Sequence, residues 1–274
     1  AAAIKVGAVD AAGFSDQHIA LMCASHKGEK KHIDTAQQML EKLGLTVNDY
    51  ECGSHYPSDK STRWKMVKKD QDALALHNNC SGKHAGMLAL AKYINQGIKN
   101  YTQKNHPVQE TIFSLLQEYT GLETIPTSID GCSAPTPFMT MTTIARLFQK
   151  LGSGAHPELE RIFKAMVEHP FYVSGSKTFD TSFIEAMYGR AVTKIGGEAV
   201  RGVSIKKPDG GCVGLALKVL DGNFRALSPA TMRLLEHLQL LNDEELSSLE
   251  QFRTGILRNH NQIKIGQIEA TLDE

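Results

Sequence analysis

The chain of 274 residues has no excess of either charge: thirty basic residues stand against thirty acidic ones. A binder of nucleic acid or of an acidic membrane surface normally carries a basic excess, so the balance argues against both partners. No apolar run approaches the ~18–20 residues that a membrane-spanning helix needs. Residues 1–7 show no basic stretch followed by an apolar one, so no secretory leader is expected. Cysteines are sparse and odd in number: Cys23, Cys52, Cys80, Cys132 and Cys212. That is no disulfide framework, and a reducing, cytoplasmic setting is the default, with most of the thiols acting as small buried hydrophobes. Neither GxGxxG nor GxxxxGK[ST] occurs, so no nucleotide cradle is suggested. Repeats, low-complexity tracts and clear linkers are missing too.

What is present is ordinary for a soluble globular chain: 41% hydrophobic and 22% charged residues. Ile33, Ala36, Met39, Leu40 and Leu43 follow helical spacing, and Gly44 closes that helix. Pro107 opens another, with Val108, Ile112, Leu115, Leu116 and Tyr119 on one face and Gly121 at its end. Helices are expected at 138–151, 157–168, 180–192, 229–241 and 243–252, with a weaker one at 62–76. The apolar run 19–24 reads equally as buried strand or buried helix. Strand pieces are expected around the Gly196-Gly197 turn, at 212–219 after the Asp209-Gly210 hairpin signal, and at 262–270. Helices in the middle and strands towards the end favour an α+β layer arrangement over strict βαβ winding.

The chemically richest stretch is residues 78–87, Asn-Asn-Cys-Ser-Gly-Lys-His-Ala-Gly-Met. A strong helix-forming run follows it, so the polar cluster should lie at a helix N-terminus, where unpaired N–H groups favour anions and lower a thiol's pKa. Cys80 and Lys83, three apart, would face the same way there. Cys132, in Asp-Gly-Cys-Ser, is a second glycine-flanked thiol. Two thiolates with nitrogen or oxygen partners suit zinc, but neither cysteine belongs to a CxxC pair, and buried inert thiols are the competing reading. Ser25-His26 follows the apolar run 19–24. Neighbours on a strand point to opposite faces, so the two are not automatically a catalytic couple. Lys218 interrupts the apolar strand. Alternation places it with Gly214 and Ala216, which leaves room for a ligand beside a partly buried amine that could act as a base. An edge-strand lysine guarding against aggregation is the alternative. Asp130 is either an Asx-turn former or a substrate-binding carboxylate.

Taken together and in order, Cys-Ala-Ser-His at 23–26, Glu-Cys-Gly at 51–53, the 78–88 block, His-Pro-Val-Gln at 106–109, Asp-Gly-Cys at 130–132, Lys-Ile-Gly-Gly-Glu at 194–198 and Leu-Lys-Val-Leu-Asp-Gly at 217–222 resemble the rhizobial-type L-asparaginase family, also called asparaginase II or class 3. The resemblance runs over nearly the whole chain, read as one domain, 1–274. It implies a fold similar to the serine β-lactamases and glutaminases, an antiparallel sheet with helical layers. It also implies an amidohydrolase converting L-asparagine to L-aspartate and ammonia, and a homodimer. Zinc is implied at Cys80, Lys83 and Cys132, orienting the site rather than supplying hydroxide. Ser25 and Lys218 are the implied Ser–Lys couple, and His26, His84 and Asp130 the substrate-binding residues.

One motif departs from the family pattern. Family members carry an Arg-Ser-x-x-Lys tandem at the end of an N-terminal strand region, whereas this chain opens Ala-Ala-Ala-Ile-Lys. Aligning Lys5 with that lysine makes Lys5 a further catalytic candidate and puts Ala2 where the serine belongs. The expectation is then a domain truncated or altered at that region, with a catalytically impaired asparagine binder that keeps the pocket and metal as the alternative function.

Overall fold

A computed structural model describes residues 1–272. The first half is helical: α1 (Ala2–Lys5), α2 (Ala8–Ala11), α3 (Asp16–Met22), α4 (Lys30–Leu43), α5 (Lys60–Lys68), α6 (Ser81–Tyr93) and α7 (Pro107–Thr120). A short hairpin, β1 (Thr127–Ile129) and β2 (Pro135–Pro137), follows. Then come α8 (Met141–Gly152), α9 (Pro157–Glu168), α10 (Pro170–Val173) and α11 (Phe179–Ala186). The central sheet is β3 (Ala191–Gly196), β4 (Val200–Lys206) and β5 (Cys212–Lys218). The chain continues through α12 (Leu227–His237), α13 (Asp243–Leu249) and a second hairpin, β6 (Gly255–Arg258) with β7 (Lys264–Ile268). All strand pairs are antiparallel and the sheets are separate from the helical half, which makes this an α+β fold. Among the described residues no helix is long and apolar enough to cross a membrane.

Local chemistry explains most boundaries. Helix α4 buries His32, Thr35, Ala36, Met39, Leu40 and Leu43 along one stripe and ends on Gly44 at φ 65°. Helix α7 has Pro107 in its first turn and ends on Gly121 at φ 71°. The 180–192 expectation fails halfway. Tyr188 (φ 46°) and Gly189 (φ 89°) turn the chain back after α11, so Ala191 already begins a strand. The run 19–24 resolves as helix, the last part of α3.

Helix α6 is buried on nearly all sides, as a central helix must be when neighbours cover every face. A Cβ on Gly82 would lie 2.3 Å from the Leu21 carbonyl oxygen, and one on Gly86 2.6 Å from the Met22 side chain. These two glycines therefore let α3 lie directly against the start of α6. The segment leaving α3, Cys23 to His26, is delivered to the α6 N-terminus as a result.

In the central sheet, register aligns Lys194 with Gly202 and Ala216, and Val200 with Lys218. One face is roofed by α8: Cβ atoms on Gly202 and Gly214 would collide with Phe148 and with the Ala145 and Gln149 backbone. The opposite face carries Val203 and Ile205 in a core with Phe179, Phe183, Met187, Met232, Leu235 and Leu249.

Candidate active site

Ser25 is fixed by its backbone. Its N–H donates to Val173 O at 3.2 Å, the His26 N–H to Asn79 O at 3.1 Å, and the Lys27 N–H to Ser174 O at 2.9 Å. The loop is thus laced to the end of α10 on one side and to the residue before Cys80 on the other. Behind it, His26 is 1% exposed. The Gly28 N–H donates to its Nδ1 at 3.1 Å, so the ring proton sits on Nε2, 2.9 Å from Ser81 Oγ. Burial pushes the His26 imidazole well below its usual range, helped by the nearby charges of His32, His55, His77 and Lys194.

The Ser25 hydroxyl points at an amine, that of Lys194. Lys194 Nζ lies 2.8 Å from Ser25 Oγ and also donates to its neighbour's carbonyl, Ile195 O. Burial lowers the Lys194 pKa; Asp180 and Cys80 pull the other way. A lysine whose charge is disfavoured, in hydrogen-bond contact with a serine, is the arrangement that activates a hydroxyl nucleophile.

The thiols form the second half of the site. The sulfurs of Cys80 and Cys132 and a carboxylate oxygen of Asp130 lie within 4.8 Å of one another. Asn78 shapes the first turn, accepting from the Cys80 N–H through Oδ1 at 2.9 Å and donating to Cys52 O at 2.8 Å. The β1–β2 turn presents the other two residues. There the Asp130 Oδ1 accepts from the Gly131 N–H at 2.8 Å, so one oxygen is spent within the turn while the other faces Cys132 and Lys83. Cys132 Sγ is 3.3 Å and Lys83 Nζ 3.4 Å from Asp130 Oδ2.

Of the two thiols, Cys132 is the one pulled down: the adjoining Cys80 thiol, the His84 ring and the Lys83 charge favour its anion against burial. Cys80 is pushed up correspondingly, first by the neighbouring Cys132 and then by burial. Burial works against the Lys83 charge, but the two thiols and Asp130 outweigh it and raise its pKa.

His84 is fully buried, with Nδ1 2.8 Å from the Tyr101 hydroxyl oxygen. That oxygen already accepts from the Glu51 N–H at 2.8 Å, so the Tyr101 proton is free to go to His84 Nδ1. The His84 proton then sits on Nε2, which is buried without a hydrogen-bond partner. The donors suit zinc: two adjacent sulfurs, with the Lys83 amine and the Asp130 carboxylate beside them.

Three expectations need correcting. Lys218 is not the partner of Ser25. Its amine is taken by the carbonyls of Glu198 and Val219, each at 2.6 Å. It lies two strands across and two residues along from Lys194, a Cα separation of roughly 12 Å from ordinary sheet spacings. The small residues beside it make way for α8, not for a ligand. Lys5 is not in the site either: it is half exposed and paired with Glu118 at 2.6 Å. His26 and His84 are buried supports, the first behind the Ser25 loop and the second beneath the thiols, and neither is open to a substrate. The residue that was missed, Lys194, stands in the Lys-Ile-Gly-Gly-Glu motif. Its signal was an amine in an otherwise apolar strand just before a glycine turn.

The His26 tautomer carries a pH consequence. The folded pKa lies below the unfolded value near 6.5, so the folded state binds fewer protons between the two. Stability is therefore full above pH 6.5 and falls as the pH drops below it, by up to about 1.4 kcal/mol per unit from His26 alone. His18, His32 and His77 are lowered by burial too and add with the same sign. Urea titrations should show stability decreasing from pH 7 to pH 5, with a shallower slope in His26→Gln. A flat profile would refute the neutral, buried assignment.

The α+β fold thus holds a serine hydroxyl against a desolvated amine, with a thiol–carboxylate cluster at the head of α6. The model of one family, L-asparaginase II, matches residues 1–270, and the chain belongs to that family. The family is one of amidohydrolases acting on a small-molecule substrate. A comparison with curated proteins finds no match.

Proposed function

We propose that the protein hydrolyses L-asparagine to L-aspartate and ammonia, with Ser25 as nucleophile and Lys194 as its base. The observation that carries this reading is the 2.8 Å contact between Lys194 Nζ and Ser25 Oγ. The neutral amine takes the hydroxyl proton as Oγ attacks the side-chain amide carbon. The resulting ammonium returns that proton to the departing nitrogen, so ammonia leaves and an aspartyl ester stays on Ser25. Lys194, neutral again, takes a proton from water as the water oxygen adds to the ester carbon; the Oγ–carbon bond then breaks, the Lys194 ammonium returns its proton to Ser25 Oγ, and aspartate is released.

Asp130, 45% exposed, is the carboxylate open to a substrate's ammonium group. Zinc belongs to this reading, held by Cys80, Cys132 and Lys83. The lysine must give up its proton to join, which makes metal uptake pH-dependent. Held there, the ion would supply a fixed positive charge beside the two sulfurs and the β1–β2 turn. The β3–β5 sheet roofed by α8, with α11 and α12 on its other face, supports a serine β-lactamase or glutaminase-like relationship. Five free cysteines suit the reducing cytoplasm, and the homodimer implied by the resemblance completes the reading.

Ammonia release from L-asparagine tests the proposal. The wild-type protein should release it steadily, and Ser25→Ala should lose the activity while melting at the same temperature. Calorimetric asparagine binding with no turnover by the wild type would identify an impaired binder instead.

A further inference from the structure

Beside Lys194 lies a feature that the reaction as written does not use. Asp180 and Arg201 are 2% and 1% exposed, and they form a buried ion pair through Arg201 Nη1. Removing two charges from water is costly, and such a pair often adds little net stability compared with apolar side chains of the same size. The guanidinium lies over the Phe179 ring, 4.2 Å from its centroid, and its Nε has no hydrogen-bond partner. Packing alone gives little reason for charges here.

The contacts of the pair are specific. The second Asp180 oxygen accepts from the Ile195 N–H at 2.8 Å. That N–H points off the free edge of β3, where the sheet offers it no partner. Arg201 Nη1 also donates to Thr193 Oγ1 at 3.2 Å, and Thr193 Oγ1 donates to Gly202 O at 2.9 Å. The pair therefore holds the residue on each side of Lys194. It also fixes the Ile195 peptide, whose carbonyl receives the Lys194 amine. A continuous chain of contacts runs from Asp180 through the Ile195 peptide to Lys194 Nζ and on to Ser25 Oγ.

We propose that the Asp180–Arg201 ion pair is a positioning device for the Lys194 amine, clamping Thr193 and Ile195 so that Nζ is aimed at Ser25. Neither residue touches substrate, and both act through β3. The charged and titratable groups facing Lys194 are Asp180 from α11, Arg201 from β4, Cys80 at the head of α6, and Cys23 and His26 from the segment after α3. Asp180 and Arg201 act on Lys194 with opposite signs. The intact pair thus aims the amine while leaving its charge largely to burial.

This inference rests on the Ser25–Lys194 reading, and the test keeps the two apart. Three variants are compared with the wild type for kcat, KM and the pH profile of kcat/KM on L-asparagine: Asp180→Asn, the double variant Asp180→Asn with Arg201→Met, and Lys194→Ala. Melting temperature is measured alongside. The double variant removes both charges together, so it should fold even where the single variant, with Arg201 left unpaired, does not. The expected result is a folded double variant with kcat reduced at least tenfold, KM within twofold and the acid limb unmoved. Asp180→Asn, where it folds, should move the acid limb to lower pH, because Arg201 then faces Lys194 uncompensated. A folded double variant with wild-type kcat overturns the proposal. If Lys194→Ala is inactive in that same experiment, only the clamp is refuted; if Lys194→Ala is fully active, the Ser25–Lys194 reading falls first.

Discussion

Lys194→Ala should lower kcat for asparagine hydrolysis by about 10²–10⁴-fold, the usual range for losing a positioned base, whereas Lys218→Ala should stay within about twofold of wild type. The contrast comes from geometry. The Lys194 amine meets Ser25 Oγ at 2.8 Å, while the Lys218 amine is spent on the Glu198 and Val219 carbonyls. Both lysines lie on the same face of the same sheet, so composition and hydropathy do not separate them; register does. The loss should appear in kcat more than in KM, because the amine acts on the serine and not on the bound substrate. Loss of activity in Lys218→Ala with retention in Lys194→Ala would reverse the assignment.

The second large effect concerns metal. The wild-type protein, purified from zinc-supplied cells, should carry one zinc per chain by elemental analysis. Cys80→Ala and Cys132→Ala should each carry none, since either change leaves a single sulfur beside Asp130. His84→Ala should keep both sulfurs yet bind about 10–100-fold more weakly, the usual cost of losing a partner that orients a ligand. Its reach is indirect: Tyr101 holds the ring through Nδ1, and the ring favours the Cys132 anion beside it. Unchanged zinc content in both cysteine variants would show that the thiols hold no metal.

Where structure followed from short-range chemistry, it was legible in the sequence. Helix α9 begins at Pro157 and ends at Glu168 as its spacing indicated, and α4 and α7 stop on the glycines expected to stop them. Cys80 and Lys83 of the 78–87 block do come together with Asp130 and Cys132. What stayed hidden depended on distant neighbours. Alternation along 212–219 correctly grouped Gly214, Ala216 and Lys218 on one face, but α8, which covers that face, is some sixty residues earlier in the chain. His84 reads as an accessible imidazole until Tyr101 closes over it. The end of α11 was overrun because Tyr188 takes a left-handed conformation that its residue type does not advertise.

The central claim is that Ser25 becomes covalently acylated during turnover. Acid quenching during rapid turnover of L-asparagine, followed by peptide mass mapping, tests it most directly. The account predicts an aspartyl adduct, the mass of asparagine less ammonia, on the peptide containing Ser25, and none in Ser25→Ala. An adduct on another residue, or full activity in Ser25→Ala, would contradict it.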